Sequence, residues 1–352
     1  MSKVVTITSV FMVLSICTSL IWLHYSYVLL KDIPQIQTVS VVDDDLYVQF
    51  GGSLFKGRLD RLYGRDGFGY TDSNEQTQSA KQSPLIVTSK GYFTYNTQQR
   101  QYNLCVQNAC TLFKKQENAP KFYDFAANET GFALLDFTSI SIYDTQYTLR
   151  NTVLLQSAND VKSIKSYYKK FYYLSGGDGA LYTLKLEEDE LLTNPFLTVK
   201  ADVISGFEIE QIESFALFYD RVAVLVSTRF SQQKAIVWYD TFGRFIDAKI
   251  LSERDFVQQI VSYQNYLLLV SPDDYKILIM DKANNFIGLV SWPEIQNLFN
   301  AAYEQKLFYE RIIPAIMPLT ILIVILGVFI VYKTRTTQIK LDFNYDDSSV
   351  RV

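Results

Sequence analysis

The chain opens and closes on long apolar runs, and between them hydrophobic positions come in short bursts broken by turn residues. Residues 312–332, IIPAIMPLTILIVILGVFIVY, carry no charge. A helix apolar on every side at that length suits a bilayer span, which needs ~20 such residues. Pro314 and Pro318 fall in its first two turns, where a missing N–H costs least. Lys333, Arg335 and Lys340 follow, so the positive-inside rule places the short tail 333–352 on the cytoplasm-like side. Residues 4–23 are also uncharged and lead into His24, Tyr25 and Tyr27, which with Trp22 suit the headgroup zone. The segment 4–30 is expected to be a retained anchor, because it outruns the ~7–15-residue core of a signal peptide. A cleaved signal sequence, with Cys17 and Ser19 as small residues before the cut, fits the same pattern. Either reading puts the middle of the chain across the membrane from the basic tail.

The middle is patterned for strands. Residues 263–290 (YQNYLLLVSPDDYKILIMDKANNFIGLV) run turn, apolar strand, polar turn, a second strand ending near Asp, another turn and a weaker strand. Residues 218–251, 128–155 and 167–192 repeat that shape, with more degenerate copies at 90–113 and 43–62. Unit starts at residues 38, 84, 122, 161, 207 and 256 give the ~40–50-residue spacing of propeller blades. One such sheet cannot bury both faces alone, whereas sheets arranged radially cover each other. These copies resemble β-propeller repeats in general, without the WD dipeptide or a regular YWTD tetrapeptide. The expected fold is therefore an all-β region, a propeller of about six blades over 38–290, flanked by an N-terminal and a C-terminal transmembrane helix. Five or seven blades and a two-sheet sandwich are the competing arrangements. Ser291-Trp292-Pro293-Glu294 has the spacing of a capping box with Ser291 as N-cap. Ile295, Leu298, Phe299 and Ala302 then share one face of an amphipathic linker helix over 292–311.

Composition narrows the chemistry. Lys+Arg 33 against Asp+Glu 37, a net charge of -4, leaves no global field to attract nucleic acid. With 25 Tyr and 24 Phe the chain favours strands. A single His and three Cys remove most metal sites and His-dependent catalysis, so neither cofactor nor metal is expected.

The remaining candidates are few. Cys105 and Cys110 flank a plausible hairpin turn and fit a small disulfide in an oxidising compartment, of modest worth because the loop is short. Asn128-Glu129-Thr130 is the one glycosylation sequon, compatible with modification in a secretory lumen. Asp144, Asp240 and Asp281 each end a strand and open a turn, where a side chain bonding its own downstream backbone is favoured, so they are expected to be structural. The acidic clusters 43–45, 187–190 and 273–274 sit in predicted turns, and calcium would need ~6–8 converging oxygens. Gly176-Gly177-Asp178-Gly179 lacks the Lys-Ser/Thr of a phosphate loop, and Gly64, Gly67 and Gly69 open no helix. The polar stretch 59–83 reads as a long loop, of the kind that is disordered or binds a partner.

These features point to a non-catalytic, membrane-anchored propeller that docks proteins. It would be extracytoplasmic, in the secretory pathway or at the cell surface, as an accessory subunit beside other membrane subunits in the bilayer. The alternatives are an adhesion or receptor-like glycoprotein, a propeller hydrolase using carboxylates, and an organellar inner-membrane subunit.

Overall fold

The computed structural model describes residues 3–42, 44–61, 68–70, 77–78, 86–88, 91–96, 101–106, 109–113, 124–136, 139–155, 161–175, 179–184, 195–200, 202–228, 233–252 and 256–346. Among them the chain divides into a helical unit, Met1–Ile33 with Asn300–Val352, and a β unit, Pro34–Phe299.

The bursts of hydrophobics in the β unit are strands, and apart from β4 and β5 they pair in order along the chain into six sheets. Blade 1 holds β1 (Ile36–Val42), β2 (Asp45–Phe50) and β3 (Ser53–Gly57). A hairpin, β4 (Leu59–Arg61) and β5 (Phe68–Tyr70), then leaves the blade before β6 (Thr77–Gln78) returns to β3. Blade 2 holds β7 (Ile86–Thr88), β8 (Gly91–Asn96), β9 (Gln101–Val106) and β10 (Ala109–Phe113). Blade 3 holds β11 (Asp124–Asn128), β12 (Gly131–Leu135), β13 (Ser139–Asp144) and β14 (Leu149–Leu154). Blade 4 holds β15 (Val161–Tyr167), β16 (Lys170–Ser175), β17 (Ala180–Leu184) and β18 (Leu197–Thr198). Blade 5 holds β19 (Gln211–Leu217), β20 (Arg221–Ser227), β21 (Lys234–Asp240) and β22 (Phe245–Ile250). Blade 6 holds β23 (Gln259–Tyr263), β24 (Tyr266–Ser271), β25 (Lys276–Asp281) and β26 (Phe286–Ser291). First strands of successive blades neighbour one another around the ring, which makes them innermost. The fold is a six-bladed β-propeller, with first strands starting close to the expected unit starts.

Radial packing explains why the middle strands read as unbroken apolar runs. In β12, Phe132 and Leu134 join a core with Phe93 and Tyr102 of blade 2. The alternate residues Ala133 and Leu135 join Ile164 and Phe171 of blade 4. In β20, Val222, Val224 and Val226 face blade 4, while Ala223 and Leu225 face blade 6. A strand buried on both faces has no polar side to alternate with. A two-sheet sandwich would have left one of those sides in water.

The four strands of blade 6 all come from the last repeat, and contacts with blade 1 close the ring. Gln259 Nε2 donates to the Val39 carbonyl at 3.1 Å, and the Leu59 amide donates to the Tyr263 hydroxyl at 3.0 Å. The β4–β5 hairpin reaches from blade 1 to blade 6, where β5 pairs in parallel with β26 through Val290↔Phe68 and Ser291↔Gly69. The stretch 59–83 is thus not a plain loop: its described residues form β4, β5 and β6, the first two as an added edge on blade 6.

Two helices are long and apolar enough to be candidate membrane spans: α1 (Lys3–Asp32) and α2 (Pro293–Asp346). Helix α2 passes through Pro314 and Pro318 without a break. It starts later than the capping-box spacing implies. Ser291 is spent as the last residue of β26, the Trp292 carbonyl accepts the first helical bond from Gln296, and Pro293 takes the first helical position. Ile295, Phe299 and Ala302 are buried as expected, but Leu298 is exposed. The Phe299 ring packs 5.0 Å from Phe50, and Trp292 lies 6.2 Å from Phe55.

Candidate functional site

Because each blade is an antiparallel meander, its first and third turns lie at one end and its second turn at the other. Call the first the turn face. The chain enters at Pro34 and leaves at Trp292 on the opposite face. Asp45, Cys105, Cys110, Asn128, Asp144, Asp240 and Asp281 fall on the turn face, whereas Asp273 and Asp274 lie in the second turn of blade 6, on the opposite face.

Asp144, Asp240 and Asp281 build three copies of one device. Asp144 accepts from the amides of Gln146 and Thr148 at 2.8 and 2.9 Å and from Arg150 Nε at 2.8 Å. Asp240 accepts from the amides of Phe242 and Arg244, both at 2.9 Å, and from Arg244 Nε at 2.6 Å. Asp281 accepts from the amides of Ala283 and Asn285, both at 2.8 Å, and from Asn285 Nδ2 at 3.0 Å. The residue three places after each Asp, Tyr147, Gly243 or Asn284, has positive φ, and a bulge follows in the ladder. This is the three-residue hairpin in which a type I turn precedes a left-handed residue.

The same bonds hold these carboxyls below the usual range. For Asp144 the Thr148 amide contributes most, and for Asp240 the Arg244 amide. For Asp281 partial burial pushes upward but is outweighed by Asn285 and Ala283. A carboxyl lowered by folding adds stability that is complete above its unfolded pKa of ~3.9 and lost as pH falls through the folded value. The urea midpoint is therefore expected to hold steady from pH 7 to 5 and to fall below about pH 4. A variant carrying Asp144→Asn, Asp240→Asn and Asp281→Asn should show a shallower acid decline. An equal decline in the variant would assign the acid sensitivity elsewhere.

Cys105 and Cys110 face each other across β9 and β10 in the corresponding turn of blade 2 and are joined as a disulfide. Asn128 ends β11. Its Oδ1 accepts from the Thr130 amide at 2.9 Å and the Thr130 hydroxyl at 2.7 Å, while Nδ2 is closed to solvent. A glycan on that nitrogen has no room unless the side chain turns outward.

Two carboxylates carry contacts that the strand pattern did not single out. Asp124 takes the amides of Phe125 and, across to blade 4, Ile164 at 2.9 and 2.8 Å. Buried Asp136 takes the amide and hydroxyl of Ser139 at 2.6 and 2.9 Å. The spacing Asp136-x-x-Ser139 is a readable turn signal. Of the acidic clusters, Asp45 binds Lys56 and Arg58, and Asp273 and Asp274 bind Gln258 and Ser271. Residues 43, 64, 67, 176–178 and 187–190 lie outside the described residues. No group of three or more His, Cys, Asp or Glu is placed to hold a metal among the described residues.

The central channel is lined by first strands alone: Val39–Val42, Phe125–Ala127, Lys165–Ser166, Phe215–Leu217 and Val261–Ser262. It encloses about 60 Å³, against ~300–1,000 Å³ for small-molecule pockets. No carboxylate is among these described lining residues.

The outward side chains of the turn face are aromatic on two adjacent blades. Tyr168 (66% exposed) sits in the first turn of blade 4, Tyr219 (77%) in the first turn of blade 5, and Phe242 (80%) in the third turn of blade 5. Tyr168 has φ 50°, a left-handed conformation that bulky residues rarely adopt.

No protein-family model matches the chain, and neither does any curated protein sequence. Solved structures share the arrangement of sheets at low identity. The Pan2 WD40 domain of Neurospora crassa is 8% identical at a TM-score of 0.46, over 74% of this chain and 80% of that one. A chain of a nidogen/laminin complex is 10% identical at 0.48, over 75% and 95%. Virginiamycin B lyase from Staphylococcus aureus is 10% identical at 0.49, over 72% and 83%. Such similarity concerns the fold alone, and the sheet order above establishes it independently.

Proposed function

We propose that this protein is a membrane-anchored, non-catalytic propeller that docks a protein partner through its turn face, as an accessory subunit of a membrane complex. The observation that carries this reading is the set of exposed aromatics, Tyr168, Tyr219 and Phe242, on a ring whose central cavity encloses about 60 Å³ among the described residues. Tyr is enriched where interfaces concentrate their binding energy. Tyr168 adds a second argument. Its turn would be better served by Asn, which tolerates the left-handed region, so the aromatic ring costs the fold stability that contact with a partner would offset. The apolar faces of α1 and α2 support the anchoring, with the propeller on the extracytoplasmic side, where the Cys105–Cys110 bridge persists.

The decisive experiment is affinity purification of the full chain in mild detergent. The wild type is expected to bring down a stoichiometric membrane polypeptide, and a Tyr168→Ser/Tyr219→Ser/Phe242→Ser variant is expected to lose it while keeping its circular dichroism. A wild-type monomer with nothing bound would sink the reading. Tyr168→Asn separates fold from docking: chemical denaturation should show a gain of about 1 kcal/mol while partner recovery falls.

A further inference from the structure

The helical unit contains a cleft of about 710 Å³ between α1 and α2, walled by Leu20, Leu23, His24 and Tyr27 on one side and Ile313 and Pro314 on the other. Its polarity is graded. Leu20 and Leu23 lie at one end and Tyr27 at the other, with His24 between, so one helix face passes from aliphatic to hydrogen-bonding within two turns. Lys31 Nζ sits 4.5 Å over the Tyr27 ring and adds a positive charge beyond the polar end. Of the acids nearby, Glu310 is engaged by Lys306 at 3.8 Å.

The position of the cleft says what fits. Charge begins at Lys31 on α1 and at Arg311 on α2, so Tyr27 and Pro314 lie about one turn inside the apolar zone of each helix. From Leu20 to Tyr27 the wall rises ~10 Å at 1.5 Å per residue, a third of the ~30 Å hydrocarbon core. A partner's transmembrane helix would need a groove along the whole span. A lipid's phosphate and first methylenes need only this much.

We infer that the cleft between α1 and α2 binds one membrane phospholipid, with its phosphodiester at His24, Tyr27 and Lys31 and its acyl chains along Leu23 and Leu20. This rests on the membrane reading above, and the two can fail separately. If alkaline carbonate strips the full chain from membranes, the anchoring itself fails. If the chain stays in the membrane, native mass spectrometry of the detergent-solubilised protein tests the site. Dioleoylphosphatidylglycerol is expected to give one retained adduct per chain, and dioleoylglycerol, which lacks the phosphate, none. Inorganic phosphate should not displace the adduct. His24→Leu/Tyr27→Phe, which keeps the apolar wall, should reduce the adduct about tenfold, and Leu20→Trp, which fills the aliphatic end, should do the same. Equal retention of the two lipids, unchanged retention in both variants, or a photo-crosslinker at position 20 that captures a polypeptide instead of lipid would each overturn the inference.

Discussion

Trp238→Ala is expected to lower the unfolding free energy by about 4 kcal/mol. Trp238 is fully buried between blades 5 and 6, with the Phe218 ring 5.5 Å away and the Arg221 guanidinium 5.8 Å over its face. Its indole Nε1 donates to Asn284 Oδ1 at 2.6 Å, and Asn284 Nδ2 donates on to Asp247 Oδ2 at 2.6 Å. Removing the ring opens a cavity between two blades and also strands the Asn284 carbonyl oxygen away from water. Trp238→Phe isolates the second effect, because it keeps most of the packing and loses only the donor. It should cost about 2 kcal/mol. Urea denaturation followed by far-UV circular dichroism measures both. A Phe variant as damaging as the Ala variant would mean that the hydrogen bond, not the packing, holds the two blades together.

Gly131→Ala is expected to cost about 3 kcal/mol with no change in polarity. Gly131 opens β12 opposite Asp144, and a Cβ built there would lie 2.0 Å from the Tyr143 carbonyl oxygen and 3.0 Å from the Asp144 Cα. Both are backbone atoms of the strand that leads into the Asp144 turn, so they cannot yield without spoiling its bonds. Gly206→Ala is the matched comparison. Its φ is +75° but nothing lies within 4 Å of the added carbon, so only the left-handed backbone penalty of ~1–2 kcal/mol applies. Similar losses at both sites would show that backbone conformation rather than close approach dominates at Gly131.

The propeller was legible because radial packing leaves a periodic trace. Runs such as VAVLV in β20 are apolar throughout because both faces of the strand meet a neighbouring blade, and the turn residues between them mark the repeat. What stayed hidden depends on pairing between distant segments. Nothing in residues 59–70 announces that β5 will lie parallel to β26, some 220 residues away, because a short strand's partner is set by topology and not by its own composition. Leu298 is misleading for a related reason: helical spacing puts it near Ile295 and Phe299, but the surface they pack on is narrower than the apolar stripe. The aromatic turn residues were visible as residues only. Their shared face emerges once each blade is known to be a four-strand meander, which puts Tyr168, Tyr219 and Phe242 at one end of the ring.

The way in which the circle shuts has a mechanical consequence. Force applied through Pro34 and Trp292, the two points at which the chain joins its helices, bears directly on the joint between the first and last blades. The backbone runs from β3 through Arg58 into the β4–β5 hairpin at that joint, and the hairpin is held to β26 by pairing alone. The joint is secured by single hydrogen bonds such as Gln259 to Val39, by aromatic contacts, and by the short parallel latch of β5 on β26. Under tension the wheel should therefore part at this place first, while the remaining blades stay stacked.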